Sequence, residues 1–234
     1  MNFWKQMPSS RLLVEVSLWS ADFTHFEDEI RRVDSFADMY HIDVSDGHFV
    51  PGFLFFADLV ATLRPLTERP FHVHLMTTNP LNHISDFVSA GANMITLHAE
   101  NGPMAPAALE AARRAGAATG LALGLDVLPE TIEPYLDLVD MLLIMGTPMG
   151  VKGVKPSQHV FNRIQKIKEI VVKSGLQDQV KVFADGGIRE NTVPKLRESG
   201  ADGVIAGSLV FKSSNLEEIF SWLHALKKEV SKAE

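Results

Sequence analysis

Four side chains in three short stretches have the types and spacing of ligands for a divalent metal. His41 and Asp43 stand in H-I-D-V-S-D-G-H-F-V-P-G at 41 to 52, His74 in F-H-V-H-L-M at 71 to 76, and Asp185 in V-F-A-D-G-G at 182 to 187. In the first stretch Ile42 and Val44 alternate with His41, Asp43 and Ser45. That period of two marks a strand with one apolar face and one face carrying an imidazole and a carboxylate. Asp46-Gly47 then ends it with a turn. The pair supplies two ligands for a borderline divalent metal such as zinc, iron, manganese or cobalt. Taken alone, such a pair is more often a hydrogen-bonded polar pair at a strand end than a metal site.

The elements that must position these groups alternate along the whole chain. Strands are expected at 12–18, 39–44, 71–76, 93–99, 119–127, 141–146, 180–184 and 202–207. Helices are expected from Ser20 or Asp22 to about Phe36, at 56–64, from Asn79-Pro80 to Gly91, at 105–115, after Pro129-Glu130, ending near Gly175, from Glu190 to Ser199, and from Asn215 to Lys228. Strict alternation of strand and helix gives a parallel sheet. Eight units close most economically into a single-domain (β/α)8 TIM barrel over residues 1–234, which leaves no sheet edge. An open doubly wound sheet is the alternative, and the absence of G-x-G-x-x-G after the first strand weakens its dinucleotide-binding version.

Composition narrows the function. The 234 residues are 46% hydrophobic and 22% charged, with a net charge of −7 and no cysteine. That excludes thiolate metal sites and a cysteine nucleophile, and gives no basic surface for nucleic acid. No apolar run is long enough to span a membrane, and the start M-N-F-W-K-Q-M-P-S-S-R lacks the apolar core of a signal peptide. A cytoplasmic protein is expected.

In barrels of this kind the loops after the strands form the working face. There His41 and Asp43 (second strand), His74 (third) and Asp185 (seventh) would converge as two imidazoles and two carboxylates. Such a set suits a divalent metal with positions left open for substrate. Glycines follow three adjacent strands: Gly150 and Gly153 after the sixth, Gly186 and Gly187 after the seventh, Gly207 with Ser208 after the eighth. Glycine lets backbone N–H groups approach an anion, so this side of the mouth reads as a phosphate grip, with Lys152 and Lys155 adding positive charge. Metal and phosphate together imply a small phosphorylated substrate.

Several stretches carry a family likeness. S-L-W-S-A-D-F at 17 to 23, H-I-D-V-S-D-G-H-F-V-P at 41 to 51, V-H-L-M at 73 to 76, G-A-N-M-I-T-L-H-A-E at 91 to 100, D-G-G-I at 185 to 188 and A-G-S at 206 to 208 resemble the ribulose-phosphate 3-epimerase family. The resemblance implies a ribulose-phosphate-binding barrel and a metal-dependent epimerase inverting carbon 3 of a ketose phosphate. Candidates are ribulose 5-phosphate, allulose 6-phosphate or a related sugar phosphate. By position it implies His41, Asp43, His74 and Asp185 as metal ligands, Asp43 and Asp185 as the acid/base pair, and Ser17 as a substrate contact. A homo-oligomer is expected.

That chemistry suits the residues. A carbon acid beside a ketone is too weak for an unaided carboxylate, and a Lewis acid on the adjacent oxygens stabilises the enediolate. Inversion needs a base on one face and an acid on the other. A related barrel lyase or decarboxylase is the competing enzyme reading, although the D-x-K-x-x-D pattern of phosphate-sugar decarboxylases is absent. A barrel that binds a sugar phosphate without turnover is the third.

The chain departs from its family at definable places. Glu15-Val16-Ser17 replaces the usual A-P-S, and T-P-M-G-V-K-G at 147 to 153 replaces N-P-G-F-G-G-Q. The family's acid two residues before the V-H-L-M histidine is here His72. Glu15 and His72 both lie one layer below the site on odd-numbered strands, and a buried carboxylate needs a partner. A Glu15–His72 hydrogen bond within about 3.2 Å is therefore expected.

Overall fold

The computed structural model describes residues 3–8 and 10–227. Eight parallel strands close into a barrel in the order of the sequence. They are β1 (Leu13–Ser17), β2 (Met39–Ser45), β3 (Phe71–Met76), β4 (Met94–His98), β5 (Ala118–Leu123), β6 (Met141–Met145), β7 (Lys181–Asp185) and β8 (Gly203–Ala206). Helices α1 (Phe26–Val33), α2 (Ala57–Leu63), α3 (Ile84–Ser89), α4 (Ala105–Arg114), α5 (Val160–Lys173), α6 (Val193–Glu198), α7 (Ser208–Phe211) and α8 (Leu216–Ala225) belong to the outer ring and the loops that join it to the strands. None of the helices described is long and apolar enough to cross a membrane.

Differences from the expected elements have local causes. The link between β5 and β6 is a 3-10 segment, Pro129–Leu138, and not an α-helix. Pro134 inside it removes a backbone donor and blocks regular i→i−4 bonding. Strand β5 stops at Leu123, short of the expected Val127. Beyond it the Gly124 N–H donates to Glu100, and Arg163 on α5 donates to the carbonyls of Gly124 and Val127, which turns the chain off the sheet. Helix α6 begins at Val193 rather than Glu190, with Pro194 in its first turn, where a missing N–H costs nothing. The expected end of the last helix, Lys228, lies outside the described residues.

The strands are buried on both faces. Their outward residues join the helices in the larger core, with Val14, Ile42, Val73 and Ile95 all buried. Their inward residues fill the lower barrel with Leu13, Met39, Met94, Met141, Leu143, Phe183 and Ile205. Methionine suits such an irregular interior. An N-terminal 3-10 turn, Phe3–Gln6, places Trp4 beneath this layer, where its ring stacks on Phe183 at 5.6 Å and its Nε1 donates to the Asp140 carbonyl at 2.8 Å. The apolar floor leaves the polar inward residues for the upper layers.

Candidate active site

Register sets the inward polar residues side by side. Ser17 is the partner of His41, His41 of His72, Asp43 of His74, and His74 of Thr96. Glu15, His41 and His72 form a lower layer, and Ser17, Asp43, His74 and Asp185 sit above at the strand ends. His41, His72, His74 and His98 are wholly buried, and Asp43 is 5% exposed. Asp185 is half-buried and faces a cavity of about 300 Å3.

The four expected ligands come together: ligand atoms of His41, Asp43, His74 and Asp185 all lie within 4.8 Å of one another. Hydrogen bonds assign the tautomers of the two histidines. Glu15 Oε2 lies 3.2 Å from His41 Nδ1, so that nitrogen carries the hydrogen and Nε2 faces Asp43 Oδ1, also at 3.2 Å. On the other side, Glu100 Oε2 lies 3.3 Å from His98 Nδ1, and His98 Nε2 is 2.8 Å from His74 Nε2. His98 then donates to Glu100 and accepts from His74. This leaves the lone pair of His74 Nδ1 facing Asp43 Oδ1 at 3.2 Å. Two nitrogen lone pairs aimed at one carboxylate repel unless a positive charge sits among them. The donor set, two imidazoles and two carboxylates with carboxylate-backed rings, fits a divalent metal.

The electrostatics of the metal-free protein agree. Burial works against the charged form of His41, but Asp43, Glu15 and Asp185 outweigh it, and its pKa lies well above the ordinary value. Burial raises Asp43, yet His41 and His74 overcome this and hold it far below the usual carboxylate range. For Asp185 burial wins: His41 opposes it, the Asp43 charge adds to it, and the carboxyl is pushed well up. Burial keeps His74 neutral, at about 3. Glu15 is pushed up by burial but pulled down further by His72 and His41, to about 2. His72 is lowered, with burial the leading cause. Glu15 is therefore the charged member and His72 a neutral donor.

The expected Glu15–His72 contact is present, with Oε2 to Nδ1 at 2.7 Å. Ser17 lines the cavity and its hydroxyl donates to Asp43 Oδ2 at 3.1 Å, an orienting bond that its sequence position alone did not show. Gly150, Gly153, Gly186, Gly187, Gly207 and Ser208 all line the same cavity. Lys152 lines it as well, packed with its ammonium 4.2 Å from the Trp19 ring. Lys155 does not, whereas Arg189 and Lys212, not singled out from the sequence, do.

Two further groups escaped the sequence reading. His98 and Glu100 back the His74 ring, but their strand-end position in T-L-H-A-E offered no signal apart from the family likeness. Asp46 looked like a turn residue. It accepts from the N–H groups of His48 and Phe49 through Oδ1, and from the N–H and hydroxyl of Thr78 through Oδ2, at 2.7 to 2.9 Å. This ties the loop after β2 to the loop after β3. Burial pushes its carboxyl up, but the bonds from Thr78, Phe49 and His48 outweigh that and depress it. Asp46→Ala is expected to lower stability by about 1–2 kcal/mol at pH 7, the half-exposed position limiting the effect. A depressed folded-state pKa stabilises above the unfolded carboxylate value, about 4, and the contribution fades as pH falls through the lower folded value. Urea unfolding should show the gap between wild type and variant narrowing in acid.

The closed (β/α)8 barrel thus carries a buried cluster of imidazoles and carboxylates beside a glycine-lined pocket, the layout of a barrel enzyme. The profile of the ribulose-phosphate 3 epimerase family matches residues 13–211, and the chain belongs to that family. It is an isomerase, an epimerase acting at carbon 3 of a ketose phosphate. Relatives include ribulose-phosphate 3-epimerase of Bacillus subtilis, 34% identical over 92% of this chain and 99% of that enzyme. The Synechocystis enzyme of the same name is 33% identical over 94% of this chain and 96% of its own. Among solved structures, 3-hexulose-6-phosphate synthase from Salmonella typhimurium superposes with a TM-score of 0.64 at 17% identity, covering 91% of this chain and 100% of that one. Orotidine 5'-phosphate decarboxylase from Pyrococcus horikoshii gives 0.62 at 15% over 90% and 97%. At such identities these two speak for the fold alone.

Proposed function

We propose that Asp43 and Asp185 are the proton-transfer pair, that His41, Asp43, His74 and Asp185 hold a divalent metal, and that the substrate's phosphate lies on the glycine side of the cavity. The observation that carries this reading is the convergence of His41, Asp43, His74 and Asp185, whose ligand atoms all lie within 4.8 Å of one another. Zinc, iron, manganese and cobalt all suit the donor set. When bound, such a cation stabilises negative charge on the substrate oxygens flanking the reacting carbon.

The two carboxylates belong to β2 and β7, which β8 and β1 separate around the rim, so they approach the cavity from different sides. Asp43 as carboxylate takes the C3 proton, and the C–H electron pair moves into the adjacent carbonyl to give the enediolate. Asp185 in its carboxylic acid form delivers a proton to C3 from the other face. Running the steps in reverse epimerises the product. Ser17 keeps the Asp43 carboxylate oriented.

A cavity of about 300 Å3 accommodates a tetrulose, pentulose or hexulose phosphate. Gly186, Gly187, Gly207 and Ser208 present backbone to the phosphate, with Gly150 and Gly153 closing over it and Arg189 and Lys212 supplying charge. A Cβ on Gly207 would fall 2.3 Å from Ser20 Oγ, so that turn has no room for a side chain. Gly207→Val is expected to raise KM by about tenfold or more while metal content stays the same. An unchanged KM would remove Gly207 from the phosphate site. Incubation with ribulose 5-phosphate and allulose 6-phosphate, read by NMR for the C3 epimer, tests the substrate reading. If a related sugar phosphate alone is converted, the rewritten loop at 147 to 153 sets the choice. If neither is converted, the substrate is another ketose phosphate.

The homo-oligomer expected from the sequence belongs to this reading. Phe53 and Phe56, 80% and 62% exposed beside the active-site loop after β2, are apolar surface a second copy would cover. Light scattering reads the mass directly.

A further inference from the structure

Glu15 touches neither the cavity nor, by its position, any reacting atom, yet it is a wholly buried carboxylate. We propose that Glu15 is a positioning residue: it fixes His41 in the tautomer protonated at Nδ1, so that the free pair of Nε2 is presented to the metal. The proposal rests on reading the four-residue cluster above it as the metal site.

A carboxylate only accepts, so the Nδ1 atoms of His72 and His41, at 2.7 and 3.2 Å from Glu15 Oε2, both point hydrogens at it. Neutral His72 then accepts at its other nitrogen, which lies 2.6 Å from the Thr96 hydroxyl. Thr96 occupies that place because Gly120 stands beside it on β5, where a Cβ would fall 2.0 Å from Thr96 Oγ1. Thr96, His72 and Glu15 thus form a braced chain ending at His41.

The other neighbour of His41 Nδ1 is His72 Nδ1 at 3.3 Å, itself a donor to Glu15 and unable to accept. The choice of tautomer therefore falls to Glu15. Without it, neutral His41 would gain by moving its proton to Nε2 and donating to Asp43 Oδ1, 3.2 Å away. That bond would cover the nitrogen the metal needs. The second oxygen, Glu15 Oε1, is buried with no hydrogen-bond partner.

The test is titration of the metal-free enzyme with Co2+ and Zn2+ against a competing chelator, for wild type, Glu15→Ala and Glu15→Ala/His72→Asp. Wild type should take up one metal per chain. Glu15→Ala should bind it about 10- to 100-fold more weakly. The double variant should recover most of that loss. Position 72 is the register partner of His41, so a carboxylate there meets Nδ1 from the neighbouring strand. A purely structural role would not be rescued by moving the charge across to β3. Nitrogen-15 NMR of the zinc-loaded wild type, which needs no variant to fold, should show His41 protonated at Nδ1 and metal-bound at Nε2. Unchanged affinity in Glu15→Ala, a double variant no better than the single, or His41 bound through Nδ1 would each overturn the proposal. So would a second metal per chain held by Glu15, His41 and His72, whose ligand atoms also lie within 4.8 Å of one another. Wild type that binds no metal would show that the parent reading had failed first.

Discussion

Asp43→Asn is expected to lower kcat by at least about a thousandfold, the largest single-residue effect in this protein. Loss of a general base costs about 100- to 10,000-fold, and this side chain also sits among the proposed metal ligands. Asp43 Oδ1 faces both His41 and His74, and Oδ2 accepts from Ser17, so an amide must turn NH2 toward at least one of these partners. Metal content separates the two roles. A variant that retains its metal but not its turnover isolates the proton-transfer step. Near-normal kcat with metal bound would remove Asp43 from the reaction. Asp185→Asn should be similarly slow.

Stripping the metal with a strong chelator is expected to abolish turnover, and one equivalent of a divalent cation should restore it. Thermal stability should follow. A ligand that binds only the folded state at 100 times its Kd adds about 2.7 kcal/mol. The extensive apolar core is independent of the cluster, so the stripped protein should remain folded but melt at a lower temperature. Comparing reactivation by Zn2+, Fe2+, Mn2+ and Co2+ identifies the working metal. Full activity in protein shown by elemental analysis to be free of metal would contradict the cluster's role.

Much of this was legible in the sequence because period two carries chemical information. The alternation through 41 to 45 placed His41 and Asp43 on one face, F-H-V-H-L-M gave β3 with the bounds Phe71 and Met76, and the Glu15–His72 contact followed from barrel layering. What was hidden depended on contacts remote in sequence. Trp4 closes the barrel floor through Phe183 and the Asp140 carbonyl, and nothing in F-W-K-Q announces it. The shared role of Glu15, reaching both His72 and His41, appears only when three strands are in register. The His74–His98–Glu100 relay likewise crosses from β3 to β4 and beyond. Asp46 reads locally as a turn because half of its bonds go to Thr78, on the loop after the next strand.

The proposed reaction sets two carboxylates on opposite faces of one carbon. It is tested most directly by running the metal-loaded enzyme in deuterium oxide with a converted ketose phosphate and reading C3 by NMR and mass spectrometry at early conversion. If Asp43 removes the proton and Asp185 supplies another, the epimerised product carries solvent deuterium at C3 in nearly every turnover. Product that keeps its original C3 proton would mean that a single group carries it from one face to the other, and would contradict the two-carboxylate account.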